Sequence, residues 1–330
     1  MRTPPAAPSD RRSTSGRRAT GLTCGIDIGG TKIAGAIVDE QGEILDEHRV
    51  ESPADDAAAV EDAVAELVNE LASRHEVTAV GIGAAGYVDV TRSVVMFAPN
   101  IAWRDEDLSS KIGDRVGLPV VVENDANAAA WGEFVFGAAA DVDDMLMITV
   151  GTGVGGGIVA SGELYRGAFG AAAEIGHLRV VREGRLCGCG NFGCLEQYAS
   201  GSALVRDARA QARTPEAADL LARAGGDVLA IDGPLITAAA AEGDTFALAR
   251  LHELGTWLGE AIASLAAVLD PGAVVIGGGV SEAGGLLLEP VRAAFVGELT
   301  GRGHRPFLDV RAASLGNKAG VIGAADLARR

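Results

Sequence analysis

Between Glu174 and Glu196 the chain reads EIGHLRVVREGRLCGCGNFGCLE, which holds three of its four cysteines, Cys187, Cys189 and Cys194, with His177 ten residues ahead of the first. Three thiolates and one imidazole can close a tetrahedral Cys3His zinc site, which leaves no open position for a substrate. The spacing Cys-x-Cys-x4-Cys, with glycines between, argues against three unrelated buried thiols. Glu174 and Glu196 bracket the cluster. They are too hard as ligands for such a zinc and stay free for something else, so the loop reads as a metal-pinned platform for a polar ligand. With one ring nitrogen of His177 on the metal, the other is fixed for a second partner such as a ligand hydroxyl.

A second constellation lies in VVVENDANAAAWGE at 120–133, where a buried strand runs into a helix. An Asp at that junction is commonly only an N-cap. Glu123, Asn124, Asp125 and Asn127 nevertheless put four polar side chains beside one strand, which exceeds what a cap needs. A carboxylate at a strand end facing a cleft can accept the proton of a substrate hydroxyl, and phosphoryl transfer asks for little more than that, positioning and charge stabilisation.

Three glycine-rich turns supply the positioning. GGTK at 29–32 lacks the spacing of a Walker A loop. Its glycines still let backbone N–H groups approach an anion, and Thr31 and Lys32 add a hydroxyl and a cation. Asp27, just before the turn, suits a magnesium ion held through water. GTGVGGG at 151–157 sits between two strands and opens no helix, which disfavours a dinucleotide fingerprint. GGGV at 277–280 follows a strand and could let an adenine or ribose lie against backbone. Each turn alone is weak; together, at corresponding element ends, they read as a nucleotide cleft.

The elements that must hold these residues repeat. Strand, Gly-rich turn and return strand occur at LTCGIDIGGTKIAGAIVD and again at MLMITVGTGVGGGIVASG, with Ile26–Gly29 matching Ile148–Gly151 at an offset of 122. Spacings of three and four among Val60, Val64, Leu67, Val68 and Leu71 predict a helix over 57–74. Strands are predicted over 43–50, 77–82, 94–97, 120–122, 274–276 and 308–311. Helices are predicted over 125–136, 201–212, 215–224, 234–242, 245–269 and 286–299, with a last one from Lys318. Strand and helix alternation of this kind is α/β class.

Composition narrows the rest. At 330 residues and 48% apolar, the chain can build about two domains. A net charge of 28 minus 45, or −17, argues against a nucleic-acid surface and against anionic membranes. No apolar run is long enough to span a bilayer, and clustered cysteines fit metal in a reducing, cytoplasmic setting. Residues 1–20, rich in Pro, Ser and Arg without an apolar stretch, read as a disordered tail and not a secretory signal. Arg2, Arg11, Arg12, Arg17 and Arg18 are too few and too unpatterned for a nucleic-acid arm. Trp103, Trp131 and Trp257 read as packing residues, and Cys24 as core.

DIGGTK at 27–32, ENDAN at 123–127, GTGVGGG at 151–157, EIGH at 174–177 and CGCGNFGCLEQYASG at 187–201 resemble the ROK family of repressors, open reading frames and kinases, from about Leu22 onward. APNIAW at 98–103 favours its glucose-phosphorylating branch. The resemblance implies a duplicated actin/hexokinase/Hsp70-type ATPase fold, two domains around a cleft. They would be a smaller one over 21–138, with the final helix 318–330 packed back on it, and a larger one over 139–317. It implies Asp125 as the base at the sugar 6-hydroxyl, with Gly86, Asn100, Asn124, Glu174, His177 and Glu196 holding the sugar. Asp27, Gly29, Gly30, Thr31 and Lys32 would handle magnesium and phosphate; Gly151, Thr152 and Gly153 more phosphate; Gly278 and Gly279 the adenosine of ATP. Zinc would sit on His177, Cys187, Cys189 and Cys194, in a homodimer or homotetramer. The family often has Gly before the EIGH glutamate; here it is Ala173, which is expected to tolerate the usual backbone regions.

Two other functions stand beside this one. A sugar-sensing ROK repressor needs an N-terminal helix-turn-helix, and only some 20 residues precede the first predicted strand. A kinase for N-acetylmannosamine, N-acetylglucosamine or fructose would differ in pocket contacts alone. Polyphosphate as donor is disfavoured by the acidic chain.

Overall fold

The protein is described here by a computed structural model, over residues 20–330. The tail expected over 1–20 lies, apart from Thr20, outside the described residues. From the N-terminus the elements are β1 (Leu22–Ile28), β2 (Lys32–Val38), β3 (Ile44–Glu51), α1 (Ala57–Ala72), β4 (Val77–Ala84), β5 (Tyr87–Val88), β6 (Val94–Phe97), β7 (Arg104–Asp107), α2 (Leu108–Val116), β8 (Val120–Asn124) and α3 (Asp125–Phe136). There follow β9 (Met145–Val150), β10 (Val154–Ala160), β11 (Glu163–Leu164), α4 (Glu196–Ala199), α5 (Gly201–Gln211), α6 (Ala218–Arg223), α7 (Gly233–Ala241) and α8 (Thr245–Leu269). The chain closes with β12 (Ala273–Gly277), α9 (Gly285–Glu298), β13 (Asp309–Ala312) and α10 (Ala319–Leu327).

Two five-stranded sheets have the same plan. The first runs β3-β2-β1-β4-β8 and the second β11-β10-β9-β12-β13. In each, the opening strand pairs antiparallel with its hairpin partner and parallel with the next strand inward. The two opening strands end at Ile28 and Val150, which are 122 residues apart, so the sequence offset is the offset of the fold.

Helix α1 buries Val60, Val64, Leu67, Val68 and Leu71 against the first sheet, the face its spacing predicts. Each such side chain contributes about 1.5–3 kcal/mol. Asp56 caps it by accepting from the backbone N–H groups of Ala58 and Ala59. The sequence reading missed β7 and α2. LSSKIGDRV buries only Leu108 and Ile112, too thin a stripe to register as a helical period. The predicted helix over 215–224 is a 3-10 turn followed by the short α6.

The last helix packs on β1, β2 and β4 and crosses α3. That crossing is close enough that a Cβ on Gly323 would lie 1.8 Å from the carbonyl oxygen of Ala128, and one on Gly132 would lie 2.5 Å from that of Ala319. Only hydrogen fits there. Helix α3 also lies on β9 and β10, with Trp131, Phe134, Met145 and Met147 in one shared cluster. The residues that follow β8 are thereby wedged between the two sheets. Trp103 and Trp131 are fully buried, and Tyr198 stacks on Trp257 at 4.9 Å, so all three tryptophans are packing residues. No helix among the described residues is long and apolar enough to cross a membrane.

Candidate active site

Parallel strands deliver their C-terminal ends to one edge of a sheet, and that edge is where α/β folds bind ligands. Here β1, β4 and β8 run parallel, so Asp27, Gly86 and the Asn124–Asp125 pair arrive together. A Cβ built on Gly83 would lie 3.6 Å from the Cα of Asp125. Asn124, not Asp125, is the N-cap of α3: its Oδ1 accepts from the N–H of Asn127 at 3.0 Å. Asp125 is thus released from the capping role that Asp usually fills. The Asn124 amide donates to Asp125 Oδ1 and to the carbonyl of Gly86, each at 3.1 Å.

Burial raises the carboxyl of Asp125 above the ordinary range, opposed by the backbone N–H groups of Ala126 and Asp125 and by the Asn124 amide. Burial also lifts Asp27 to about 7, and the nearby charge of Asp125 adds to it. Two carboxylates facing one another in a partly dried cleft are the chemistry that a divalent cation relieves. Asn100, exposed between β6 and β7, stands beside the 29–30 turn: its Cβ is 3.7 Å from where a Gly30 Cβ would be. Thr31 and Lys32 are exposed at the start of the return strand.

Across the cleft, His177 closes a 3-10 turn over Ile175–His177. Its ring and the sulfurs of Cys187, Cys189 and Cys194 offer one ligand atom each, all within 4.8 Å of one another. Nδ1 faces the Cys187 sulfur at 3.6 Å, while Nε2 lies 3.9 Å from Glu174 Oε2. A Cys3His donor set in this arrangement fits a tetrahedral metal. Glu196, first residue of α4, points one oxygen at the Cys187 sulfur (3.0 Å) and holds the other 3.0 Å from where a Gly153 Cβ would be. It thus joins the Cys3His cluster to the 151–153 turn. Glu174 is raised by burial, opposed by His177, and raised further by the charges of Asp125 and Glu196, so these groups share one space.

Ala173 corrects the sequence reading. It was expected to sit in a usual backbone region, yet its φ is +67°, where a Cβ crowds the backbone. The residue before Glu174 occupies a glycine conformation.

The second sheet brings the remaining turns together. Gly278 has φ +84°, and a Cβ there would sit 2.5 Å from the Val150 carbonyl oxygen. The N–H of Gly201 donates to the carbonyl of Gly151 at 2.7 Å. Between them opens a cavity of about 1100 Å³, lined by Gly151, Thr152, Ser202, Thr237, Gly279 and Val280 among others, ample for a nucleoside. Its α5 and α7 walls were missed in the sequence, because SGSA and GPLITA there look like ordinary helix starts. Tyr87 was missed too; burial raises its hydroxyl, and the charge of Glu174 follows as the next cause, which places it near the Glu174 loop.

Two like sheets with glycine turns converging on a cleft that holds half-buried carboxylates define the actin/hexokinase/Hsp70-type ATPase fold. The profile of the ROK family matches residues 23–330. The chain is 54% identical over 311 residues to a glucokinase of Streptomyces coelicolor, covering 94% of this chain and 98% of that one. It is 31% identical over 295 residues to a xylose repressor of Bacillus subtilis, covering 86% of this chain and 72% of that one. Among solved structures it resembles a ROK family glucokinase from Streptomyces griseus in complex with glucose and AMPPNP, at 55% identity and TM-score 0.86, over 94% of this chain and 99% of that one. The chain belongs to the ROK family.

Proposed function

We propose that the protein is an ATP-dependent glucokinase, transferring the γ-phosphoryl group of ATP to the 6-hydroxyl of glucose. The observation that carries this reading is Asp125: first in α3, relieved of the capping role by Asn124, and in one space with Asp27 and Glu174. Asp125 accepts the proton of the 6-hydroxyl as its oxygen bonds to the γ-phosphorus; the bond from that phosphorus to the bridging oxygen breaks, leaving ADP. Because burial raises its carboxyl, Asp125 is a stronger base than an exposed Asp. Gly86, Asn100, Asn124, Glu174, His177 and Glu196 hold the other hydroxyls. The 29–32 and 151–153 turns hold phosphate through backbone N–H groups, Gly278 and Gly279 lie against adenosine, and Asp27 is the residue that would hold magnesium. When bound, magnesium would supply neutralisation of the phosphate charge. His177, Cys187, Cys189 and Cys194 would hold a structural zinc, which would order the loop carrying Glu174 and Glu196.

The two Streptomyces relatives, one solved with glucose and an ATP analogue, support this choice of substrates. The division into domains at 21–138 with 318–330, and 139–317, is part of the same reading, and the packing of α10 on the first sheet supports it. A coupled assay over glucose, N-acetylmannosamine, N-acetylglucosamine and fructose, with ATP and with polyphosphate, tests it. Glucose with ATP is expected to give the highest kcat/KM; a higher value for any other pair overturns the assignment.

A further inference from the structure

The residues that touch neither nucleotide nor sugar in this reading include a buried carboxylate immediately before the Asn124–Asp125 pair. Glu123 is 3% exposed. Its Oε1 accepts from the N–H of Asn124 at 3.2 Å and from the Asn127 amide at 3.1 Å. Its Oε2 accepts from Arg166 Nε at 2.6 Å, with Arg92 Nε at 3.7 Å. Glu123 therefore grips both ends of the cap that frees Asp125: the peptide of Asn124 and the side chain of Asn127, whose own N–H that cap receives.

Arg166 does not belong to the first sheet. It follows β11, at the edge of the second, and is the second residue of the segment 165–173 that leads to Glu174. That segment is a strap across the cleft. Its Gly170 sits against β5, where a Cβ would lie 2.1 Å from the Val88 carbonyl oxygen. The carbonyl of Arg166 accepts from the N–H of Ala172 at 3.2 Å, which closes the turn just before Ala173 and Glu174. One residue thus holds the strand that presents the base through its side chain, and the loop that presents Glu174 through its backbone.

We propose that Arg166 and Glu123 form a strut between the two halves, positioning Asp125 and the Glu174 loop relative to each other, so that both act as positioning residues. This rests on the glucokinase reading given above. A pair that served only stability would have no reason to end on the cap of the catalytic helix. A displacement of about 1 Å at a reacting group costs on the order of 100-fold in rate.

The test is a double-mutant cycle on the full chain: Arg166→Gln, Glu123→Gln, and both together, with Arg166→Lys as the conservative variant. Each is assayed for kcat and for both KM values, and each is checked by thermal unfolding. Each single Gln variant is expected to lose about 10- to 100-fold in kcat, with the KM for ATP within about twofold, because the adenosine cavity is not on the strut. The double variant is expected to lose no more than either single one, since residues acting through one contact are not additive. Lys at 166 keeps the charge and is expected to recover part of kcat. Should Arg166→Gln fail to fold, Arg166→Lys and Glu123→Gln carry the same comparison. Folded variants with wild-type kcat, or losses that multiply in the double variant, overturn the strut alone. A wild-type chain that phosphorylates no hexose overturns the kinase reading and the strut's role with it.

Discussion

Replacing Asp27 by Asn is expected to change how the fold's stability depends on pH. In the ligand-free protein the Asp27 carboxyl rises from 3.8 to about 7, through burial first and the charge of Asp125 second. Below about pH 4 it is protonated in both folded and unfolded chains and contributes its full stability. Between pH 4 and 7 only the unfolded chain releases the proton, so stability falls by ~1.4 kcal/mol per pH unit, about 4 kcal/mol in all, and is flat above 7. Water that reaches the cleft floor brings that to about 2–3 kcal/mol. Asn cannot ionise and lacks this slope, although the raised Asp125 keeps a residual one of the same sign. Urea unfolding of both ligand-free proteins at half-unit steps from pH 4.5 to 8 reads the effect directly. The stability advantage of Asp27→Asn over wild type should widen by about 2–3 kcal/mol across that range. Magnesium with an ATP analogue should narrow it at pH 8, because a cation favours the carboxylate. Parallel stability curves in the ligand-free proteins would refute both the burial of Asp27 and its pairing with Asp125.

Asp125→Asn should lower kcat by about 100- to 10,000-fold while glucose still binds, measured by calorimetry; near-normal turnover would remove Asp125 from the role of base. Ala173→Gly should stabilise the fold by about 0.5–1 kcal/mol, since it relieves a left-handed alanine, whereas Ala172→Gly, without a positive φ, should destabilise it by a similar amount; thermal unfolding ranks the two. Cys189→Ala should release zinc, read by elemental analysis of the purified protein, and weaken glucose binding; wild-type protein purified without zinc would defeat the platform.

What the sequence showed and what it hid divide along a physical line. The hairpin repeat was legible because Ile and Val alternate around glycines that nothing else explains, and the cysteine loop because thiols at that spacing have few other uses. Asp125 could be singled out because ENDAN carries more polar side chains than a helix start needs. The strap from Tyr165 to Ala173 could not be read. Its information lies in contacts between residues far apart in sequence, such as Arg166 with Glu123, and in a backbone angle at Ala173 that composition does not encode. The walls of the cavity proposed to take the nucleoside were hidden for a related reason: Ser202 and Thr237 are unremarkable where they stand and gain meaning only when α5 and α7 converge on the Gly151 turn.

The two hairpins also show how duplication leads to chemistry. Asp27 and Thr149 are the same position, one residue from the end of the opening strand, opposite Ala34 in one copy and Gly155 in the other. In the second copy a Cβ on Gly155 would lie 2.6 Å from the Thr149 hydroxyl oxygen, so small residues keep room for it. In the first copy the carboxylate of Asp27 lies against the start of α10, where a Cβ on Gly320 would be 3.1 Å from Asp27 Oδ2. Burying an acid is costly, and Asp27 borders the cleft, where in the proposed reading a magnesium ion would offset its charge. At the equivalent position the second half carries the neutral hydroxyl of Thr149. The fold provides the same cradle twice, and in the proposed reading this one side chain, Asp27 or Thr149, decides which copy would face the cation.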